Sequence, residues 1–253
     1  MYIRQTNSTS TLLREQYSDV LPNLYTIRTD YQSAGRGQAG NSWESEDGKN
    51  LLFSSLLRCN VSASEQFYLT MLVSVAMVDM LAQYLPQEGL RIKWPNDIYY
   101  GDRKLSGILV ENTLMGGRVA YSIVGIGLNV NQQEFHSKAP NPVSMQQITG
   151  QEYDVQMLLE DYLKVLEHWM NVPSQVLKAA YMGHLYRRVG WYPYVEREVS
   201  VAPTVIAHAD DPLVHPFIAE FVSITPNGEL VLRTQRGDIK TYHFKQIQYI
   251  IDL

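Results

Sequence analysis

The apolar positions of the chain change their spacing from segment to segment, and each spacing predicts a different element. Leu51-Leu-Phe-Ser-Ser-Leu-Leu57, apolar but for two small serines, reads as a buried strand. Phe67, Leu69, Met71, Leu72, Val75, Met77, Val78, Met80 and Leu81 leave almost no polar face. The helix predicted there, opened by a capping box of Ser62 and Glu65 and running to about Tyr84, is therefore covered on most sides. Between Val155 and Met170 the spacing is one-sided: Leu158, Leu159, Tyr162, Leu166 and Trp169 share one face of a helix capped by Asp154. A second helix opens at Pro173-Ser174 and runs to about Arg187. From Val189 onward the pattern becomes short alternating strands and Gly/Pro/Asn turns, which predicts a small all-β barrel at 189–253 behind a larger unit at 1–188.

Within the larger unit, Asn7-Ser-Thr-Ser-Thr11 followed by Leu12-Leu13 has the composition of an N-cap cluster for a helix to about Tyr17, and Tyr25–Tyr31 reads as a strand. Gly101-Asp102 suits a tight turn between two extended segments. Leu109–Thr113 and Arg118–Val130 pair across Met115-Gly116-Gly117, and 132–151 reads as a loop. Pro95 cannot donate to a ladder, so Trp94-Pro95-Asn96-Asp97 is expected to be an irregular corner.

The strand predicted at Tyr25–Tyr31 delivers the chain into Gly35-Arg-Gly-Gln-Ala-Gly40, with Trp43 just beyond. Such a stretch either forms a surface loop or holds an anion, since glycines free backbone N–H groups to approach a ligand and Arg36 between them can fork onto a carboxylate or phosphate. It is not a dinucleotide turn. That turn opens a helix, whereas here a polar segment leads into the Leu51 strand. Lys104 stands before an apolar run and reads either as an edge gatekeeper or as a charge aimed into a pocket. Gly125 and Gly127 lie on one face of a strand, open to a flat ligand or simply crowded by the sheet, and Asn129 beyond them has the amide that can read an adenine edge.

Composition narrows the classes. The chain has 253 residues, 45% of them hydrophobic, enough for a substantial core. Its 21 basic and 26 acidic residues give a net charge of -5, so nothing drives it in bulk toward DNA or an anionic membrane. Cys59 is the only cysteine, which fits a reducing compartment, and the N-terminus lacks the pattern of a signal peptide; both point to the cytoplasm. Glu65–Leu85 is interrupted by Thr70, Ser74, Asp79 and Gln83 and reads as a core helix, not a membrane span. The histidines show no metal-ligand spacing, and His208, Asp210, Asp211 and His215 read as a solvated loop.

Three segments, the glycine loop with Trp43, Lys93-Trp-Pro-Asn-Asp97 with Lys104-Leu-Ser-Gly107, and Gly125-Ile-Gly-Leu-Asn-Val130, together resemble the biotin protein ligases in order and approximate spacing. The resemblance implies an α+β fold: a mixed β-sheet catalytic domain flanked by helices, like class II synthetases and biotin/lipoate ligases, followed by an SH3-like β-barrel. It implies ATP-dependent activation of biotin as biotinyl-5′-AMP, with Mg²⁺ on the phosphates, and transfer of biotin to a lysine of a biotin carboxyl carrier protein. By resemblance Lys104, Arg36 and Asp97 are catalytic, Asp97 orienting or deprotonating the acceptor lysine. Ser8, Thr9, Ser10, Gln32, Gly35, Arg36, Gly37, Gln38, Lys104 and Gly107 match biotin-binding positions, and Arg36, Trp43, Lys93, Asn96 and Asn129 match the ATP side.

Two departures qualify this expectation. Many relatives carry arginine where this chain has Gln38, which implies a looser hold on the intermediate. The match begins within the first ten residues, so no DNA-binding winged helix and no operator binding are expected. A lipoate ligase or octanoyltransferase, and a biotin-binding sensor without catalysis, remain the competing readings; monomer and homodimer are both left open.

Overall fold

The computed structural model describes residues 1–37, 41–136, 141–197 and 216–251. Its larger sheet is built from β1 (Tyr2–Thr6), β2 (Thr26–Gln32), β3 (Leu51–Leu57), β4 (Leu90–Lys93), β5 (Asp97–Tyr100), β6 (Arg103–Met115) and β7 (Arg118–Leu128). These lie in the order β1-β2-β3-β7-β6-β5-β4. The sheet is mixed, because β1 and β2 run parallel while the remaining pairs are antiparallel.

The seven residues Leu51–Leu57 form β3 with every residue buried, paired to β2 on one side and β7 on the other. Behind the sheet lies α2 (Phe67–Leu81), apolar on all sides because α4 (Val155–Met170) and α5 (Ser174–Gly183) cover what the sheet does not. Asp154 caps α4 as expected, accepting from the backbone N–H groups of Gln156 and Met157.

Several local expectations need correction. Ser62 and Glu65 do not form a capping box: Ser62 Oγ donates to the Glu65 carboxylate at 2.7 Å around a short 3-10 turn, and the helix begins only at Phe67. The extended segment expected after Gly101-Asp102 and the strand expected at Leu109 are one continuous strand, β6, and Lys104 lies inside it. The loop at 132–151 contains α3 (Met145–Thr149), opened by a Ser144/Gln147 capping box that was legible in the sequence. The helix opened at Ser174 ends at Gly183, short of Arg187. Residues 2–6 form an unexpected edge strand, held by their parallel register to β2.

The C-terminal strands β8 (Trp191–Glu196), β9 (Pro216–Ile224), β10 (Leu230–Thr234), β11 (Ile239–Tyr242) and β12 (Ile247–Tyr249) make an antiparallel sheet ordered β11-β10-β9-β8-β12, consistent with an SH3-like module. The cluster at His208 to His215 lies outside the described residues, as do Gln38, Ala39 and Gly40. The module packs directly onto the Trp94-Pro95-Asn96 corner between β4 and β5. Trp94 Nε1 donates to the Gly228 carbonyl at 2.9 Å, its ring meets Phe244 edge-on, and one apolar core runs through both sheets.

Candidate functional site

A cavity of about 110 Å³ opens where the C-terminal end of β2, the start of α1 (Thr9–Glu15), the glycine loop, the start of β5, the first half of β6 and the end of β7 converge. Its inner wall is hydroxyl-rich. Ser8, Thr9 and Ser10 are buried, and Ser8 holds the N-cap position without using its side chain as a cap. Capping is therefore not what this cluster does. The Thr9 N–H and Oγ1 both donate to Gln32 Oε1, at 2.8 and 3.1 Å, while Ser54 Oγ lies 2.7 Å from Thr9 Oγ1 and 2.9 Å from Ser10 Oγ. This chain of small donors and acceptors, drawn from three elements, suits a compact polar head group with an apolar body.

The opposite wall carries charge. Lys104 is fixed by its backbone, whose N–H donates to the Asn141 carbonyl at 2.7 Å and whose carbonyl accepts from Val143 at 2.9 Å. Its ammonium lies in the cavity, paired with Asp97 at 2.7 Å and 5.8 Å from the centroid of the Trp43 ring. The pocket reading of Lys104 holds over the gatekeeper reading. Asp97 reaches this place because the Trp94-Pro95-Asn96 corner turns the chain back along β4, so that β5 starts at Asp97 and pairs with β6 on its other side.

The floor is made by glycines. Gly107 and Gly127 are cross-strand partners on β6 and β7, and the Trp43 indole lies over both so closely that a β-carbon at either position would collide with the ring. A β-carbon at Gly125 would strike Ser10 Oγ. The flat face expected of Gly125 and Gly127 is thus real, and the chain's own side chains lie against it. Trp43 Nε1 is buried with no hydrogen-bond partner. Gly35 lets the loop close on itself, its carbonyl accepting from Trp43 N–H at 3.0 Å, and Gly37 N–H donates to the Asn41 carbonyl at 2.7 Å.

The structure brings Ser8, Thr9, Ser10, Gln32, Arg36, Gly37, Trp43, Asp97, Lys104 and Gly107 to one cavity. Three expected contacts on the nucleotide side lie elsewhere. Lys93 points its ammonium at the rings of Tyr99 and Tyr249, 5.2 and 5.0 Å from their centroids, and burial pushes it below the usual lysine range. Asn96 is buried and ties the corner to β6 through a 2.7 Å bond to the Ile108 carbonyl. Asn129 gives its amide to the Val143 carbonyl at 3.1 Å, so it anchors the loop behind Lys104 and is not an open reader of adenine. In each case the amide or ammonium is engaged by a carbonyl or aromatic ring away from the cavity. Phe244, which comes from the turn between β11 and β12, lines the cavity mouth and could not be found from sequence spacing. Among the described residues no three His, Cys, Asp or Glu side chains gather as a metal site.

The profile of the Biotin/lipoate A/B protein ligase family matches residues 2–129, the stretch holding every cavity residue but Phe244. The chain belongs to this family. It resembles the Paracoccus denitrificans biotin--[acetyl-CoA-carboxylase] ligase, with 29% identity covering 81% of this chain and 82% of that one. It is 37% identical to the Escherichia coli bifunctional ligase/repressor BirA over 44% of this chain and 35% of the relative. With the Salmonella typhimurium BirA, the match spans 48% of the relative's length, so the chain matches less than half of either of these two relatives. In fold it superposes on the biotin protein ligase of Aquifex aeolicus, solved with biotin and ATP, at a TM-score of 0.74 with 22% identity, covering 98% of this chain and 97% of that one. No helix among the described residues is long and apolar enough to cross a membrane.

Proposed function

We propose that this member of the biotin/lipoate ligase family activates biotin with ATP and transfers it to a lysine of a biotin carboxyl carrier protein, using residues 1–188 as the catalytic domain and 189–253 as an SH3-like module. The observation that carries the reading is the Lys104 and Asp97 ion pair, set in one cavity with the Ser8, Thr9 and Gln32 cluster. In the first step a biotin carboxylate oxygen attacks the α-phosphorus of ATP and pyrophosphate leaves. Two anions approach each other, and a fixed ammonium between them offsets the repulsion. Lys104 is that cation, since its backbone is clamped and only its side chain must turn from Asp97 to the substrates. The hydroxyl cluster holds the ureido end, and Trp43 covers the adenylate, limiting hydrolysis of the mixed anhydride.

In the second step the neutral acceptor amine attacks the acyl carbon, AMP leaves and the amine loses a proton. Once Lys104 serves the phosphate, Asp97 is free to receive the incoming lysine ammonium and take its proton. Asp97 is the only acid among the described lining residues, so the cavity fits a Mg²⁺ that arrives on ATP phosphates and is part of the substrate. Net charge and the single free cysteine support a cytoplasmic enzyme with no DNA role.

The test is ATP-dependent transfer of labelled biotin to a carrier domain, beside Lys104→Ala and an acceptor lacking its target lysine. Transfer by the wild type that is lost in both controls is the expected result. Adenylation of lipoate in preference to biotin would move the chain to the other branch of its family, and biotin binding with no AMP formed would make it a sensor.

A further inference from the structure

Arg36 lines the cavity, yet its guanidinium is engaged outside it. One of its nitrogens donates to Glu111 Oε1 at 2.5 Å and the other to Thr11 Oγ1 at 3.3 Å. The same Glu111 oxygen also receives Arg14 at 2.9 Å, from the last turn of α1. Glu111 Oε2 is buried and has no partner. A carboxylate that crowds two guanidinium groups onto one oxygen and leaves the other unpaired has room to bind one arginine with both oxygens. The three groups together carry one excess positive charge at the rim of the cavity, so an arriving anion need not remove the only counter-ion of the Glu111 carboxylate. The groups are partly exposed, with side-chain accessibilities of 50%, 40% and 22% for Arg14, Arg36 and Glu111, which keeps each pair weak and exchangeable.

We propose that Glu111 is a positioning residue for the activation step: it holds Arg36 beside the cavity until substrate arrives and releases it to the anionic substrate, Arg14 then taking both Glu111 oxygens. This rests on the ligase reading above, because it is the biotin carboxylate that competes with Glu111 for Arg36. Glu111 touches no reacting atom. Its effect passes through Arg36, and that sets the test.

Biotin affinity is measured by calorimetry for the wild-type chain, Glu111→Gln, Arg36→Gln and the double variant, with thermal melting of each to confirm folding. Removing the competing charge should tighten biotin about two- to fivefold in the wild-type background, the range of a partly exposed ion pair. In the Arg36→Gln background the same substitution should change affinity by less than about 1.5-fold, since no arginine remains to be released. Arg14→Gln, which leaves Glu111 to Arg36 alone, should weaken biotin instead. An equal Glu111→Gln effect in both backgrounds would show a general field effect and overturn the proposal, as would unchanged or weakened binding in Glu111→Gln that melts like the wild type. A wild-type chain that binds no biotin overturns the ligase reading and this inference together.

Discussion

Gly107→Ala probes the flatness of the cavity floor with a single methyl group. The new β-carbon would lie 2.7 Å from Trp43 Cζ3 and 3.2 Å from Cε3, while Lys104 Cε at 3.4 Å stays at ordinary contact. To recover the same 3.4 Å the indole must retreat by about 0.7 Å from the sheet, and the space it retreats into is the cavity. Gly107 does not need positive φ, so the backbone of β6 accepts alanine without strain, and the lost chain entropy of glycine favours the variant by about 0.5–1 kcal/mol. Overpacking costs about 1–3 kcal/mol where neighbours are rigid, and less here because Trp43 is only half-buried. Stability should therefore rise by no more than about 1 kcal/mol and fall by no more than about 2 kcal/mol, the balance of those two effects. Catalysis should suffer more, because a displacement near 1 Å in a substrate-positioning group can cost about 10²-fold. The expected result is roughly a 10- to 100-fold fall in kcat/KM for biotin-dependent pyrophosphate release, with the fold intact by thermal melting. Gly183→Ala is the control: no atom lies within 4 Å of the place its methyl group would take, its φ is not positive, and it should leave activity unchanged. Wild-type kcat/KM in Gly107→Ala, or a loss no larger than in the control, would refute the argument that Trp43 must lie flat on this pair of glycines.

Lys93→Met tests the aromatic enclosure between the two sheets. Burial lowers the lysine from its ordinary value of 10.5, Asp97 opposes that shift and Arg187 adds to it, so the unfolded chain binds more protons than the native one between the lowered value and 10.5. The wild type should then gain stability as pH rises through that window, and the stability of Lys93→Met relative to it should decline from pH 7 to pH 10. Urea unfolding of both chains at several pH values measures this; a difference that is constant or grows with pH contradicts it. Gln38→Arg restores the charge that the resemblance leads one to expect at this position and should slow release of biotinyl-AMP in a chase with unlabelled biotin, whereas equal release rates would remove the expected role of that position.

The sequence by itself determined the elements whose burial is close to complete or purely periodic: β3, α2 and α4 stand where their apolar spacing put them, because a run that is apolar on every side can only be interior. It also named Arg36, Lys104 and Asp97 for the cavity, but only through the resemblance to the biotin protein ligases, because the residues alone left Arg36 and Lys104 open between a surface and a pocket role. What only tertiary structure decided was where each polar group points. Lys93 and Asn96 come from the same segment as Asp97 and Lys104, and Asn129 from the third segment, yet packing turns them to the Tyr99 and Tyr249 rings and to the Ile108 and Val143 carbonyls. Ser8 to Thr11 have the composition of a cap, but the neighbouring Gln32 and Ser54, far off in sequence, recruit Thr9 and Ser10 instead. Phe244 and Glu111 join the site only because β-strand register and domain packing bring them there. Periodicity reports which face of an element is buried; the partner of a polar side chain is chosen by contacts between segments that local sequence does not encode.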